Sequence, residues 1–275
     1  MSFDLSKNIN DFAIVAFDTE TSGAYPIESE IIELGAVKWQ NGQIIDRFQV
    51  LLKPSKELTP DNIRIHGITN EMVKDSPQMS TQILNFCSFI DNSVLLAHHA
   101  PFDLGFLSIE IEKSSLQFPN TFNFCSSLLS RALLTTTNHK LQTLIKELEL
   151  VGGEAHRAFD DAYACLQVFF KCTEKLGENP TLARILEVQK KDLHWKNYQV
   201  LGGGNANLGL LLKAMREQRS ISIIYSGGQT KNKTRPIRPL GIVRNPDGDY
   251  ISAECGLDFQ RKRFYLDKII EVELF

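Results

Sequence analysis

The run Phe12-Ala-Ile-Val-Ala-Phe-Asp-Thr-Glu-Thr21 sets two carboxylates, Asp18 and Glu20, at alternate positions of an apolar stretch. In an extended strand, side chains two apart leave the same face, so both acids project from one side of a segment otherwise suited to burial. Like charges so placed repel, and each raises the pKa of the other unless a cation lies between them. A divalent metal ion meets that need. A solvated strand end carries the same pattern, so the rest of the chain decides between the two readings.

The chain has 275 residues, 43% hydrophobic and 23% charged, which suits one large soluble domain or two smaller ones. Its start, Met1-Ser-Phe-Asp-Leu-Ser-Lys7, carries an early acid and no apolar leader core. No stretch approaches the roughly 18 uncharged apolar residues of a membrane helix, so no membrane association is expected. The five cysteines, Cys87, Cys125, Cys165, Cys172 and Cys255, are odd in number and form no Cys-x-x-Cys. That pattern speaks against a disulfide framework or zinc ribbon and predicts buried thiols in a cytoplasmic protein. The net charge of −3 hides an asymmetry: residues 206–275 carry 12 Lys and Arg against 8 Asp and Glu, while residues 1–205 are acidic. An acidic front repels a polyanion unless cations intervene, and a basic tail attracts one.

The first strand is followed by Ile31-Ile-Glu-Leu-Gly-Ala-Val-Lys-Trp39 and Gln43-Ile-Ile-Asp-Arg-Phe-Gln-Val-Leu-Leu52, joined through Asn41-Gly42. Asn-Gly between β-rich runs predicts a hairpin, because a type I′ turn needs positive φ at both central residues. Alternation then sets in: a helix over 80–90, a buried strand at Val94–Ala97, a helix opened by Pro101, a strand at Phe122–Cys125, and helices over 141–150 and 158–176. Phe159, Tyr163, Leu166 and Phe170 fall on one face of the last. This is an α/β mixed sheet flanked by helices. Residues 177–199 read as a connecting helix, and Leu201-Gly-Gly-Gly-Asn-Ala-Asn207 as a linker. Beyond it, one short helix over 208–218 precedes β-rich runs at 221–225, 241–244, 250–255, 263–266 and 269–274, separated by turn signals. So few strands predict a small all-β barrel, closed to hide its edges.

Two further acidic segments stand where this pattern brings them to the first. Ala97-His-His-Ala-Pro-Phe-Asp-Leu-Gly-Phe-Leu107 places Asp103 in the first turn of a helix. Ala155-His-Arg-Ala-Phe-Asp-Asp-Ala162 does the same for Asp161, with His156 in the preceding loop. Helix N-termini favour ionised carboxylates. Four hard oxygen donors with a histidine beside them suit Mg²⁺ or Mn²⁺ and a base for water. Asp160 diverges from Asp161 by about 100° on a helix, so only one can face the site, and Asp161 is chosen.

At these residues, over roughly 10–176, the chain resembles the DEDDh 3′-to-5′ exonucleases of the proofreading-subunit (DnaQ-like) type, which have an RNase H-like fold. Phe17–Thr21, His98–Asp103 and His156–Asp161 match its three motifs. The resemblance implies two divalent metal ions, Mg²⁺ or Mn²⁺, held by Asp18, Glu20, Asp103 and Asp161, with His156 as general base. It implies hydrolysis of phosphodiester bonds from a single-stranded 3′ end, releasing nucleoside 5′-monophosphates. It also implies that Thr21 and Phe102 lie at the terminal nucleotide and that His66, in Arg64-Ile-His-Gly-Ile-Thr69, flanks the cleft. Phe102 is equally suited to the core, and His66 to a turn. One departure is His99, where the family usually has Asn; it ligates no metal there.

Residues 206–275 resemble the WYL domain, a small SH3-like (Sm-like) barrel, through Ile223-Ile-Tyr225, Arg235-Pro-Ile-Arg-Pro239, Asp249–Cys255 and Arg261–Ile269. Asp249 stands for the Trp of the namesake tripeptide and Ile251 for the Leu. This likeness implies a ligand or nucleic-acid surface at Tyr225, Arg235, Arg261 and Arg263; arginines that merely solvate a small barrel are the alternative. The expected organisation is therefore an exonuclease domain over 1–176, a connector over 177–205 and a WYL-like domain over 206–275. DNA is favoured as substrate. An RNA exonuclease is the alternative within the enzyme class, because the carboxylates do not read the sugar. In a different class stands a nucleic-acid or nucleotide sensor that keeps the nuclease fold as scaffold, against which clustered, mutually repelling carboxylates argue. A polymerase or repair partner cannot be read from the residues.

Overall fold

The structure, a computed structural model, describes residues 3–153, 156–201, 206–228 and 231–274. In chain order its elements are β1 (Ile14–Thr21), β2 (Ile31–Gln40), β3 (Gln43–Leu51), α1 (Pro60–His66), α2 (Asn70–Val73), α3 (Met79–Ile90), β4 (Val94–Ala97), α4 (Pro101–Lys113), β5 (Phe122–Cys125), α5 (Ser126–Leu133), α6 (Leu141–Glu147), α7 (Ala158–Glu174) and α8 (Leu182–Gln189). They are followed by α9 (Ala206–Arg216), β6 (Ile221–Tyr225), β7 (Lys233–Val243), β8 (Tyr250–Cys255), β9 (Arg261–Tyr265) and β10 (Ile269–Leu274). Two five-stranded sheets result.

The first sheet has the order β3-β2-β1-β4-β5, antiparallel across β1–β2–β3 and parallel across β1–β4–β5. Asn41 and Gly42, at φ 51° and 85°, make the expected turn between β2 and β3. Alternate residues of β1 feed two cores. Val15 and Phe17 pack with α3 and α4, whereas Ile14 and Ala16 pack with α7. Helix α7 buries Ala158, Ala162, Cys165, Phe169 and Cys172, a face of mostly small side chains, while Phe159, Tyr163 and Phe170 sit half-buried at its margins. Of the stripe read from the sequence, Leu166 lies in this core and the three aromatic residues form its flank, while small side chains let the helix lie close on the sheet. All five cysteines are free and buried.

The connector is less helical than its composition suggests. Only Leu182–Gln189 and the 3₁₀ turn Trp195–Asn197 are helical, because Thr181 caps α8 after Pro180 and Lys190 ends it in the left-handed region at φ 59°. The linker glycines, residues 202–204, lie outside the described residues.

The second sheet is antiparallel in the order β10-β6-β7-β8-β9. The expected small all-β unit is present as this single antiparallel sheet. β9 and β10 are its two edges, joined by a 3₁₀ turn at Leu266–Lys268, and no ladder joins them among the described residues. Helix α9 does the covering that closure would do, burying Leu208, Leu211, Leu212 and Met215 against Ile221, Ile223, Ile237 and Phe264. β7 begins eight residues before the expected Gly241, because Pro236 and Pro239 hide it; the register shifts between Pro239 and Gly241, where a sheet tolerates a missing N–H.

The two sheets are joined by close packing. Ile27 and Ile109 from the first half enter the core of the second. Arg244, 4% exposed, bonds Asp249 at 2.6 Å and the Tyr198 carbonyl at 3.3 Å, and lies so near Gly105 that a Cβ there would stand 2.6 Å from its Cγ. Arg131 pairs with Asp247 at 2.6 Å, and Lys191 donates to the Pro246 carbonyl. No helix among the described residues is long and apolar enough to cross a membrane.

Candidate active site

The acids converge at the C-terminal ends of the parallel strands β1 and β4, where open α/β sheets place ligands. Asp18 and Glu20 continue the Ile14–Ala16 face, toward α7. Across the ladder they stand opposite Gly35 and Glu33. At Gly35 a Cβ would meet the Phe159 nitrogen at 2.2 Å, so the missing side chain is what lets the first turn of α7 seat directly on β2. That turn carries Asp161, which is buried. One ligand atom from each of Glu20, His156 and Asp161 comes within 4.8 Å of the others. From the opposite face of β1, Thr19 donates through its backbone N–H (3.1 Å) and its hydroxyl (2.7 Å) to Asp103 Oδ1, fixing the start of α4. Pro101 occupies the first turn of that helix, as expected.

The electrostatics of this cluster are unfavourable to charge. Burial pushes Asp18 well above the usual carboxylate range, and the charges of Asp103, Glu20, Asp161 and Glu33 push it further. Burial, then Asp161, Glu33 and Asp103, push Glu20 up to about 8 against the pull of Arg157. Asp103 is raised by burial although Thr19 hydrogen bonds oppose it. Asp161 is raised by burial, against the His156 N–H at 3.2 Å and Gln142 Nε2 at 3.2 Å. A donor set of carboxylate oxygens and one imidazole, held together at an energetic cost, fits a divalent cation and has no evident use without one.

His156 is exposed and adopts φ 61°. Its neighbour Arg157 is held by Glu33, with Nε to Oε2 at 3.2 Å and Nη2 to Oε1 at 2.9 Å, and the Ala158 N–H adds a third bond at 3.1 Å. Glu33 is fully buried. It was not singled out from the sequence, yet a carboxylate two residues before Gly35 inside the apolar run Ile31–Val37 is the same signal that marks Asp18. Gln142 carried no such signal. Asp160 is half-buried against Gly153.

The other expected contacts are placed as follows. Thr21 ends β1, half-buried, its hydroxyl on the Gly23 carbonyl at 2.8 Å. His66 is 4% exposed and closes α1; its Nδ1 accepts from the Ile68 N–H at 3.0 Å, which puts its proton on Nε2, a buried nitrogen with no partner among the described residues. Burial lowers its pKa, with Glu33 and His156 near enough to act on it. Phe102 is half-buried with its ring 5.0 Å from Phe106. His98 bridges Ser126 Oγ (2.8 Å) and the His139 carbonyl (3.0 Å), and burial lowers it to about 3. His99 lies at φ 66°, a left-handed position that suits Asn and admits His.

In the second sheet the four expected residues divide. Tyr225 and Arg235 are buried, Tyr225 edge-on to Phe264 and Arg235 over the same ring at 5.5 Å with its Nε unpartnered. They line a cavity of about 740 Å³ that Lys262 and Arg263 also reach. Arg261 and Arg263 are exposed and line a second cavity of about 330 Å³ with residues of the first half.

The family model for exonucleases matches residues 15–169, and the chain belongs to that family. The WYL domain model matches residues 206–274. Among curated proteins, the chain is 35% identical over 180 residues to the DNA polymerase III PolC-type of Oceanobacillus iheyensis, and 36% identical over 177 residues to that of Thermotoga petrophila. Each match takes in 64% of this chain but only 12% and 13% of those much longer proteins. In fold the chain is similar to exonuclease X in complex with 5′ overhanging duplex DNA (24% identity, TM-score 0.50, 64% of this chain and 99% of that one). It is also similar to E. coli exonuclease I in complex with a dT13 oligonucleotide (15% identity, TM-score 0.55, 83% and 52%).

Proposed function

We propose that the protein is a metal-dependent 3′-to-5′ exonuclease acting on single-stranded DNA ends and releasing nucleoside 5′-monophosphates, with residues 1–176 as the nuclease domain, 177–205 as connector and 206–275 as an accessory domain that binds nucleic acid or a nucleotide. The observation that carries this reading is the convergence of Glu20, His156 and Asp161 within 4.8 Å, beside Asp18 and Asp103, in a place where their charges oppose one another. Asp18, Glu20, Asp103 and Asp161 would hold two Mg²⁺ or Mn²⁺ ions. When bound, such ions supply charge neutralisation at the scissile phosphate and acidify water.

The chain's own residues do the rest. His156, exposed at the rim, takes the proton of the attacking water. Its position is set by the Glu33–Arg157 pair and by its own N–H on Asp161. His66, buried with its Nε2 unpartnered and close enough to Glu33 and His156 to feel their charges, would line the wall of the same cleft. Thr21 and Phe102 flank the same place, and Phe102 offers its half-exposed ring to a base. Tyr225 and Arg235 would serve a nucleotide or base within the accessory domain. A panel of DNA and RNA oligonucleotides incubated with the full chain and Mg²⁺ tests the reading. DNA shortened from its 3′ end with mononucleotide release supports it, and RNA degraded in preference would shift the substrate.

A further inference from the structure

The cavity of about 330 Å³ is built by both halves of the molecule: Ala24 and Tyr25 from the loop after β1, and Tyr250, Ser252, Arg261 and Arg263 from β8 and β9. In the β8–β9 register Tyr250 pairs with Tyr265, Ser252 with Arg263 and Glu254 with Arg261, so the two arginines share one face of the sheet with Tyr250 and Ser252. Lys262, on the alternate position, is paired with Asp258, and Phe264 is buried. Arg261 and Arg263 are different: both are exposed, and neither forms an ion pair among the described residues. Arg263 lies over the Tyr250 ring at 5.1 Å. Glu254, opposite Arg261 on that face, is held by Arg238 at 2.8 Å, and two exposed guanidinium groups beside two aromatic rings are the chemistry that holds a phosphodiester backbone and stacks its bases without reading sequence.

The cleft is also joined to the catalytic end of β1. Tyr25 follows Thr21 by four residues, a separation of at most about 14 Å even if fully extended. The intervening loop is fixed by Ser22 N–H to the Glu30 carbonyl at 2.9 Å and Ser29 N–H to the Tyr25 carbonyl at 2.8 Å. The Tyr25 ring rests on Gly241 of β7, where a Cβ would come within 2.3 Å of it. We infer that the single strand feeding the catalytic centre runs through this cleft, with its phosphates on Arg261 and Arg263 and a base against Tyr25 or Tyr250. The inference rests on the exonuclease reading and adds to it a substrate track made by both halves, so the accessory domain holds the same strand that the first domain shortens.

The test uses the full chain with Ca²⁺, measuring by fluorescence anisotropy the binding of a dinucleotide and of a single strand of about 15 nucleotides. The doubly substituted Arg261→Gln/Arg263→Gln protein should bind the longer strand at least about tenfold more weakly than the unsubstituted protein, with a smaller loss on the dinucleotide, and its slope of log K against log salt should shrink by about 1.4 for two lost phosphate contacts. Tyr25→Ala should weaken the longer strand by a similar factor with the salt slope kept, since stacking releases no counterions. Unchanged affinity and slope in the double variant, or equal losses on both lengths, would overturn the track. An unsubstituted protein that binds the longer strand in this manner yet hydrolyses nothing would instead overturn the exonuclease reading.

Discussion

Arg157 lays its guanidinium on the carboxylate of Glu33 through two hydrogen bonds of 3.2 and 2.9 Å, pinning the loop that carries His156 to the strand beside the clustered acids. Glu33 is fully buried, so removing Arg157 leaves a charge without its chief partner. Arg157→Ala should destabilise the fold by about 3 kcal/mol, read as a lowered midpoint in urea. Arg157→Lys, which keeps the charge and loses the two-pronged geometry, should retain most of the stability and lose more kcat than KM, because His156 is then held less well.

Gly35→Ala should be costly for so small a change. The added Cβ would stand 2.2 Å from the Phe159 nitrogen and 2.4 Å from the Ala158 carbonyl carbon, both backbone atoms that move only with α7. Overpacking of this kind costs about 1–3 kcal/mol. A shift of α7 carries Asp161 with it, and an ångström of misplacement is worth about a hundredfold in rate. Steady-state kinetics alongside thermal unfolding separates the two effects.

The metal-free protein should lose stability as pH rises. Glu20 has a folded pKa of about 8, raised chiefly by burial, and Asp18, Asp103 and Asp161 are raised in the same direction. A carboxylate raised on folding keeps its proton longer in the native than in the unfolded state. Its stability contribution is therefore complete below the unfolded value of about 4 and is lost as pH climbs through the folded value. Melting midpoints in EDTA should fall between about pH 4 and 8, Glu20→Gln should flatten that fall, and Mg²⁺ or Mn²⁺ should reverse it.

His156→Ala distinguishes a base from a ligand. If His156 moves the proton, kcat falls by about a hundredfold to ten-thousandfold, while the rise in melting temperature on adding Mn²⁺ persists. Loss of that rise would make His156 a metal ligand, a role its position within 4.8 Å of Glu20 and Asp161 also permits.

Much of this was legible in the residues. Period-two apolar runs, Asn41-Gly42 and Pro101 placed the first sheet and α4, because each carries a local physical preference that the tertiary structure leaves in force. The acids Asp18, Glu20, Asp103 and Asp161 were readable from strand ends and helix starts. Glu33 stands inside an apolar run much as Asp18 does, but the partner that defines its role, like that of Gly35, is met only where β2 meets α7, a contact between residues more than 120 apart in sequence. The prolines of β7 concealed a strand that tolerates them at a register shift.

The most direct test of the central claim is degradation of a 5′-labelled single-stranded oligonucleotide by the purified protein, with Mg²⁺ or Mn²⁺, with EDTA, and with the Asp18→Asn variant. The predicted result is a ladder shortened stepwise from the 3′ end, abolished by EDTA and by the substitution, while Asp18→Asn stays folded and, freed of one repelling charge, melts no lower than the parent in EDTA. Shortening that persists in EDTA or in Asp18→Asn, or no shortening of any DNA or RNA strand, would contradict it.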